Sequence, residues 1–150
     1  LIYEVANNLQ EINFVFIGPT DDSLQHSNLN KIKKLKNVFL LGYRKYKYLP
    51  SYCAYFDVAW LPLIHNNYTK SMFPMKFFEY LAAGLPVVST DLESIREYGK
   101  LVAVSDDISK IKISIIEALK NKNSNLKNRL SLAMENTYQK RTKKMLMELN

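Results

Sequence analysis

The most regular feature of this chain is a set of five short, mostly apolar runs of about four residues each. They end at glycine, proline or polar residues, and longer amphipathic or polar stretches separate them. A continuous apolar run of this length is typical of a β-strand that is buried on both faces. We therefore predict strands at residues 14–17, 38–41, 58–61, 87–90 and 101–104.

The stretches between these runs carry helical signals. Apolar residues recur at helical spacing, Asp107 is a natural N-cap, and Gly84 is a natural C-terminal stop for a helix that opens at Pro74. The segment Leu63–Phe73 shows no such pattern and is predicted to be irregular. The predicted helices lie near residues 2–9, 30–35, 45–56 (with Pro50 in the first turn), 74–83, 107–119, 124–135 and 138–149.

This alternation of buried strands and helices predicts the fold class. Hairpin signals such as Asn-Gly are absent from the sequence. Short strands that alternate with helices form parallel sheets with helices on both faces. We therefore expect an α/β domain of three layers, followed by C-terminal helices.

Composition and charge narrow the function classes. The sequence has 21 Lys and Arg residues against 14 Asp and Glu residues, which gives a net charge of +7 and favours anionic partners. The single cysteine, Cys53, excludes an internal disulfide framework and a cysteine zinc cluster. No apolar run approaches the roughly 20 residues that a transmembrane helix needs.

The chain begins without Met and inside an amphipathic pattern. We expect residue 1 to lie within or just before a helix of a longer protein. On that expectation, an upstream half is missing from this chain.

The helix predicted after Pro74 has two distinct faces. At about 100° per residue, Lys76, Glu79 and Tyr80 share one stripe, and Phe77, Phe78 and Leu81 share the opposite one. The phenylalanine stripe is expected to face the core. The other stripe then faces a cleft or bulk water.

The start of this helix could bind an anion. In a parallel α/β sheet, ligands bind beyond the carboxyl ends of the strands, here in the loops at 18–22, 42–46, 62–73 and 90–94. The main-chain amides of residues 74–77, apart from that of proline, would point outward beside the Lys76 ammonium. Glu79 could accept hydrogen bonds from a vicinal diol such as ribose. The alternative is an exposed Lys–Glu pair worth about 0.2–0.5 kcal/mol.

The run from Pro74 to Thr90, PMKFFEYLAAGLPVVST, resembles the donor-site helix and following strand of retaining glycosyltransferases of GT-B fold, family 4. The resemblance covers roughly residues 1–120. It includes similar segments at Phe14–Pro19, Asn37–Gly42, Tyr48–Tyr52, Phe56–Pro62 and Tyr98–Asp106, and Thr137-Tyr138-x-x-Arg141 is similar to the start of the last helix of that family.

The resemblance implies a function for the whole chain. Family members have two Rossmann-like domains, and residues 1–150 would form the single C-terminal, donor-binding one. The donor would be a UDP- or GDP-linked sugar, and the acceptor an unknown sugar or lipid bound by the missing N-terminal domain. No metal and no other cofactor is implied. The expected setting is cell-surface polysaccharide or glycolipid synthesis by a hexosyltransferase in the cytoplasm, peripheral at the inner membrane face.

The resemblance also implies roles for individual residues. Glu79 matches the second glutamate of the Glu-x7-Glu motif and would hold the ribose, while Lys76 and the amides near Phe73–Lys76 would meet the diphosphate. Gly18 and the turn that carries Tyr43 and Arg44 would line the nucleotide pocket. The full predicted set for the nucleotide sugar is Gly18, Tyr43, Arg44, His65, Ser71, Phe73, Pro74, Met75, Lys76 and Glu79.

Two departures from the family pattern matter. The first glutamate of the motif would fall at position 71, where this chain has Ser71, so no catalytic residue is assigned. The first strand of the family's domain and its glycine-rich loop are also missing. We therefore expect the chain alone to be an inactive, donor-binding fragment.

Other residues have simpler interpretations beside the functional ones. His65 could touch the sugar or be a lone surface histidine, and His26 is expected to be exposed. Cys53 and Trp60 are expected to be core residues. The tail at residues 140–144 is either the solvated face of a helix or a contact with an anionic membrane.

Two further function classes remain open. Five tyrosines interleave with basic residues between positions 43 and 55, which could stack on nucleic acid. The expectation is instead that some of the tyrosines pack their helix on the sheet. A ligand-free regulatory domain of flavodoxin-like fold is the other class; acids follow Gly18-Pro19 at positions 21 and 22, but no matching strand-end lysine is evident.

Overall fold

The computed structural model describes residues 1–20 and 29–148, with side chains through Met147. The predictions for His26 and for the acids at positions 21 and 22 lie outside the described residues. The chain divides into two compact units, Leu1–Tyr52 and Cys53–Asn150. Both contain a parallel β-sheet with helices, so the chain has the predicted α/β, Rossmann-like fold.

The first unit contains a two-stranded sheet in which β1 and β2 are parallel and Phe14 pairs with Val38. The side-chain amide of Asn37 donates to the carbonyls of Ala6, Leu9 and Ile12, each at 3.0 Å, and so joins the end of the first helix to the second strand. The elements are α1 (Ile2–Asn8), β1 (Phe14–Phe16), α2 (Leu29–Ile32), β2 (Val38–Leu40), a 3-10 helix (Tyr46–Tyr48) and α3 (Leu49–Cys53).

The second unit contains a three-stranded parallel sheet in the order β3-β4-β5, with Ala59, Val87 and Val102 in register. Its elements are β3 (Ala59–Leu61), α4 (Asn67–Ser71), α5 (Lys76–Ala82), β4 (Val87–Ser89), α6 (Glu93–Arg96), β5 (Val102–Val104), α7 (Ile108–Lys120), α8 (Leu126–Glu135) and α9 (Tyr138–Glu148).

The central strand β4 shows that helices cover both faces of this sheet. Val87, Val88 and Ser89 are all buried, with exposures of 3%, 1% and 0%. Successive side chains of a strand point to opposite faces, so both faces are covered. All five predicted strands are present at the predicted places, each three residues long.

Helix α5 packs by the face that the sequence predicts. Phe77, Phe78 and Leu81 are buried, whereas Lys76 is exposed and Glu79 is half-buried. The buried side chains join a core that includes residues of β3, β4, β5 and α8. The position of α5 is therefore fixed by packing, and its other stripe is free to carry polar groups.

The prediction that residues 63–73 are irregular is wrong, because the segment contains helix α4. The Asn66 side chain accepts from the Thr69 amide at 2.8 Å, and the Thr69 hydroxyl accepts from the Asn66 amide at 2.9 Å. This reciprocal capping satisfies two backbone donors at the start of the helix. The cap stabilises a five-residue helix that has no apolar periodicity to reveal it.

Helix α5 ends at a glycine, as predicted. Gly84 has φ +78°, and its amide donates to Leu81 while the Leu85 amide donates to Tyr80, which is a Schellman motif. A Cβ at Gly84 would lie 2.9 Å from Leu126 Cδ1 of α8. The backbone conformation favours glycine here, and any larger residue would also have to displace the end of the Leu126 side chain.

Candidate functional site

The segment between β3 and α5 is held by side chains that follow the neighbouring strand β4. The Thr90 hydroxyl donates to the carbonyl of Leu63 at 2.8 Å, and the Ser94 hydroxyl donates to that of Met72 at 3.0 Å. Within the segment, the buried Thr69 hydroxyl donates to the Ile64 carbonyl at 2.6 Å. This segment, which leads to the predicted diphosphate position, is therefore fixed at both ends.

The charges of Lys76 and Glu79 both affect the pKa of one neighbouring group, the half-buried thiol of Cys53. Burial raises the pKa of Cys53, the charge of Glu79 raises it further, and the charge of Lys76 opposes the rise. The two charges of α5 thus have opposite effects on the same thiol. The raised pKa keeps Cys53 a neutral thiol at pH 7, in contrast to a nucleophilic thiolate.

Tyr80 completes this polar stripe. Burial, followed by the Cys53 and Glu79 charges, raises the pKa of Tyr80 to about 12. Its hydroxyl therefore stays protonated and can act as a hydrogen-bond donor at neutral pH. The stripe thus combines a cation, a carboxylate and a neutral hydroxyl within one turn of helix.

The main-chain amides at the start of α5 differ in one respect from the prediction. The Phe77 amide donates to the Pro74 carbonyl at 2.9 Å, so it does not point outward. Pro74 itself is buried, and the Phe73 ring stacks on Phe78 with centroids 5.0 Å apart. The Phe73 ring is therefore partly buried against the core, whereas Met75 is 43% exposed.

A network of charged side chains lies at the carboxyl ends of β3, β4 and β5. His65 Nε2 lies 2.8 Å from Asp106 Oδ1, and the same oxygen accepts from the Asp91 amide at 3.0 Å. The Asp91 carboxylate accepts two bonds from Arg96, at 2.6 and 3.0 Å. His65 is therefore not a lone surface histidine, and this alternative is wrong.

The network has a consequence for stability in acid. Partial burial works to raise the pKa of Asp106, but hydrogen bonds from His65 and from the Asp91 amide outweigh it and lower the pKa. A carboxylate with a lowered folded-state pKa stabilises the fold above its unfolded pKa of about 3.9 and loses that contribution as the pH falls through the folded pKa.

We expect Asp106→Asn to reduce the loss of thermal stability between about pH 5 and pH 3, as measured by melting curves. Glu117→Gln, which removes a carboxylate from an exposed position of α7, controls for net charge; an equal effect of both variants would contradict the assignment.

The predicted site residues of the first unit also meet at one sheet edge. The Gly18 amide donates to the Gly42 carbonyl at 3.0 Å, just beyond β1 and β2. Arg44 Nη1 donates to the Tyr43 carbonyl at 2.9 Å and Arg44 Nε donates to the Tyr52 hydroxyl at 3.0 Å. A cavity of about 290 Å³ opens beside Gly18 and is lined mainly by apolar residues of α1, β1, α2 and β2.

The tyrosines between positions 43 and 55 do not pack as expected. Tyr43, Tyr46, Tyr48 and Tyr55 are 70%, 70%, 49% and 88% exposed, and only Tyr52 of this group is half-buried. Trp60 is likewise half-buried, in contrast to the predicted core position.

The structure thus brings the predicted site residues together in two groups. Gly18, Tyr43 and Arg44 form one group in the first unit. The second unit holds the others along one continuous stretch: His65, Ser71, Phe73, Pro74, Met75, Lys76 and Glu79. Ser71 lies in the last turn of α4 and is exposed.

Sequence reasoning missed three charged residues near this stretch. Asp91 and Asp106 each follow a predicted strand closely, and that position was the available signal. Arg96 had no such signal, because its partner Asp91 becomes evident only when α6 is placed.

Within residues 1–20 and 29–148, His, Cys, Asp and Glu side chains form no group of three or more that could hold a metal ion. No helix in this described part of the chain combines the length and the apolar character needed to cross a bilayer.

Comparison with known proteins identifies a family and a relative. The family described as glycosyl transferases group 1 matches residues 1–121. A protein of Bacillus subtilis (strain 168), whose assigned name is teichuronic acid biosynthesis glycosyltransferase TuaH, is 33% identical over 100 residues. That match covers 67% of this chain and 25% of the relative, so the matched part spans about a quarter of the relative's length.

Proposed function

This chain belongs to the group 1 glycosyl transferases, and from that premise we propose that it is the donor-binding half of an enzyme that moves a sugar from a UDP- or GDP-linked donor to an acceptor. The proposed enzyme is a retaining hexosyltransferase of GT-B fold, family 4, and this chain is its C-terminal domain. The acceptor-binding domain is a separate, N-terminal part of the same enzyme. The chain alone is therefore expected to bind the donor without transferring its sugar.

The observation that carries the proposal is the polar stripe of α5. Lys76 and Glu79 lie in the first turn of α5, whose buried residues Phe77, Phe78 and Leu81 hold the helix in the core. In the proposed complex, the Lys76 ammonium and the amides near Phe73–Lys76 lie against the diphosphate, and Glu79 accepts hydrogen bonds from the ribose hydroxyls.

This arrangement fits the demands of the reaction. When the bond between the sugar and the donor breaks, negative charge develops on the departing nucleoside diphosphate. A cation and main-chain amides that are already in position stabilise that charge without any metal. The Gly18, Tyr43 and Arg44 group is proposed to line the pocket for the base, and His65 and Ser71 are proposed to lie near the donor sugar.

The relative suggests where the product is used. Its assigned name places it in teichuronic acid biosynthesis, which is the synthesis of a polysaccharide. We extend to this chain only a role in cell-surface polysaccharide or glycolipid synthesis in the cytoplasm. The basic residues at positions 140–144 would favour a peripheral contact with an anionic membrane.

The proposal predicts a specific effect of Glu79→Gln. We expect UDP or GDP to bind the protein at millimolar concentration or below, and the variant to bind the same nucleotide about tenfold more weakly, because hydrogen bonds to a charged group contribute about 1.5–3 kcal/mol. The loss should be smaller for the 2′,3′-dideoxy nucleotide, which lacks the diol. Isothermal titration calorimetry measures both values.

Glu117→Gln is the matched control, since Glu117 lies at an exposed position of α7. It should bind UDP and GDP as the unmodified protein does. Absence of any binding at millimolar UDP or GDP would contradict the proposed function. Unfolding of Glu79→Gln in circular dichroism would show that Glu79 is structural.

The exposed tyrosines favour one other candidate, a nucleic-acid-binding module. That function predicts tight binding to single strands with a steep dependence on salt. A gel shift with single-stranded RNA and DNA at two salt concentrations separates this candidate from the proposed one.

A further inference from the structure

Arg141 of α9 is a half-buried cation that lies against two aromatic rings. Its guanidinium carbon lies 4.7 Å from the centroid of Phe73 and 5.2 Å from that of Phe78. The two rings are stacked on each other with centroids 5.0 Å apart, so they form one rigid aromatic platform beside the guanidinium. Stacking of this kind holds a guanidinium in one orientation while leaving the N–H groups at its edge available.

Those N–H groups lack an anionic partner in the described part of the chain. Its ion pairs join Lys122 to Asp57, Arg96 to Asp91, His65 to Asp106 and the N-terminus to Glu4, and none of them includes Arg141. The polar contact of Arg141 is a long one, 3.9 Å from Nη1 to Sδ of Met75. A thioether is a weak acceptor, so most of the donor capacity of the guanidinium is unused.

The charge of Arg141 affects the titration of one neighbouring phenol, that of Tyr98. Burial and Glu97 raise the pKa of Tyr98, and the charge of Arg141 lowers it. Lys143 and Lys144 are exposed farther along α9.

The location of Arg141 suggests a function in ligand binding. Phe73 and Met75, which Arg141 contacts, are residues of the segment Phe73–Lys76 that is proposed to meet the donor diphosphate. A planar fork of N–H groups matches two phosphate oxygens better than any other side chain does. We infer that Arg141, oriented by Phe73 and Phe78, is a further binding residue for the diphosphate of the donor. This inference rests on the proposed function.

The same inference gives α9 a part in the site. The last described helix supplies this cation from position 141, far beyond the end of α5 at Ala82, through its contacts with Phe73 and Phe78. The phenylalanines then have two functions, in the core and as the platform.

The test compares nucleoside, nucleoside monophosphate and nucleoside diphosphate, with uridine, UMP and UDP or the guanosine series as probes. The ratio of the Kd for the monophosphate to the Kd for the diphosphate measures the contribution of the second phosphate. We expect Arg141→Gln, which keeps a planar polar group without the charge, to lower this ratio about tenfold and to leave nucleoside binding unchanged. Arg141→Lys, which keeps the charge without the fork, should give an intermediate ratio.

Lys143→Ala removes one charge from an exposed position of the same helix and should keep the unmodified ratio. An unchanged ratio in Arg141→Gln, or a uniform loss for all three probes, would overturn the inference and show a structural role alone. If Arg141→Gln does not fold, Arg141→Lys decides the same question. Failure of the unmodified protein to bind any diphosphate would instead contradict the proposed function, so the two failures are distinguishable.

Discussion

Phe77→Ala is expected to lower the free energy of unfolding by about 3–5 kcal/mol, the range found for truncation of buried phenylalanines. The Phe77 ring is 0% exposed. It lies 5.1 Å from the ring of Tyr98, 5.2 Å from Phe78 and 6.0 Å from Phe73, measured between centroids. Alanine would leave a cavity in the middle of this cluster, which close packing prevents from collapsing fully. Urea denaturation followed by circular dichroism measures the change.

The matched control is Tyr55→Ala, since the Tyr55 side chain is 88% exposed. Exposed substitutions of this kind usually change stability by less than about 0.5 kcal/mol. A loss below about 1 kcal/mol for Phe77→Ala would show that the cluster is loosely packed. In that case, the aromatic platform under Arg141 and the fixed position of Lys76 would both lose their physical basis.

The strands could be predicted because burial on both faces leaves a local signal. Phe14–Phe16 comes just before Gly18-Pro19, and Val87–Ser89 comes just after Gly84-Leu85-Pro86. Apolar residues at consecutive positions are favourable only where both faces of a strand are covered. The stripe of α5 was predictable for a similar reason, since helix geometry alone separates Lys76 from Phe77.

The polar contacts could not be predicted, because they join positions that are far apart in sequence. His65 and Asp106 are separated by 41 residues, and they meet only because β3, β4 and β5 end at the same edge of one sheet. Nothing in the sequence fixes that strand order. Helix α4 was missed for the opposite reason, since its signal is confined to Asn66 and Thr69.

The packing of the last two helices, α8 and α9, could not be predicted from the sequence either. The amphipathic pattern of α8 and α9 predicts that they exist, but it does not say what they cover. Arg129 illustrates this limit. It is only 2% exposed, although a basic residue in a polar stretch is normally assigned to solvent.

Arg129 stabilises the end of the site helix. Its guanidinium donates to the carbonyl of Gly84 at 2.9 and 3.1 Å, to that of Lys122 at 2.6 Å and to that of Ser124. Burial lowers the pKa of Arg129, yet arginine remains charged at neutral pH, so its hydrogen bonds are charge-assisted. One side chain thus joins the Schellman turn after α5 to the connection between α7 and α8.

Arg129→Met is therefore expected to lower the free energy of unfolding by about 3–5 kcal/mol, because it keeps the side-chain volume but leaves three carbonyls, in partly buried hydrogen bonds, without their donor. Arg129→Lys should recover only part of the loss, since an ammonium cannot reach all three acceptors at once. Lys127→Ala, at an exposed position of the same helix, should change stability by less than about 0.5 kcal/mol. Chemical denaturation measures all three variants. Full stability of Arg129→Lys would show that the charge alone is enough. The partial loss that we expect would show that the planar guanidinium is needed. That guanidinium holds α5, and with it Lys76 and Glu79, at a fixed distance from α8.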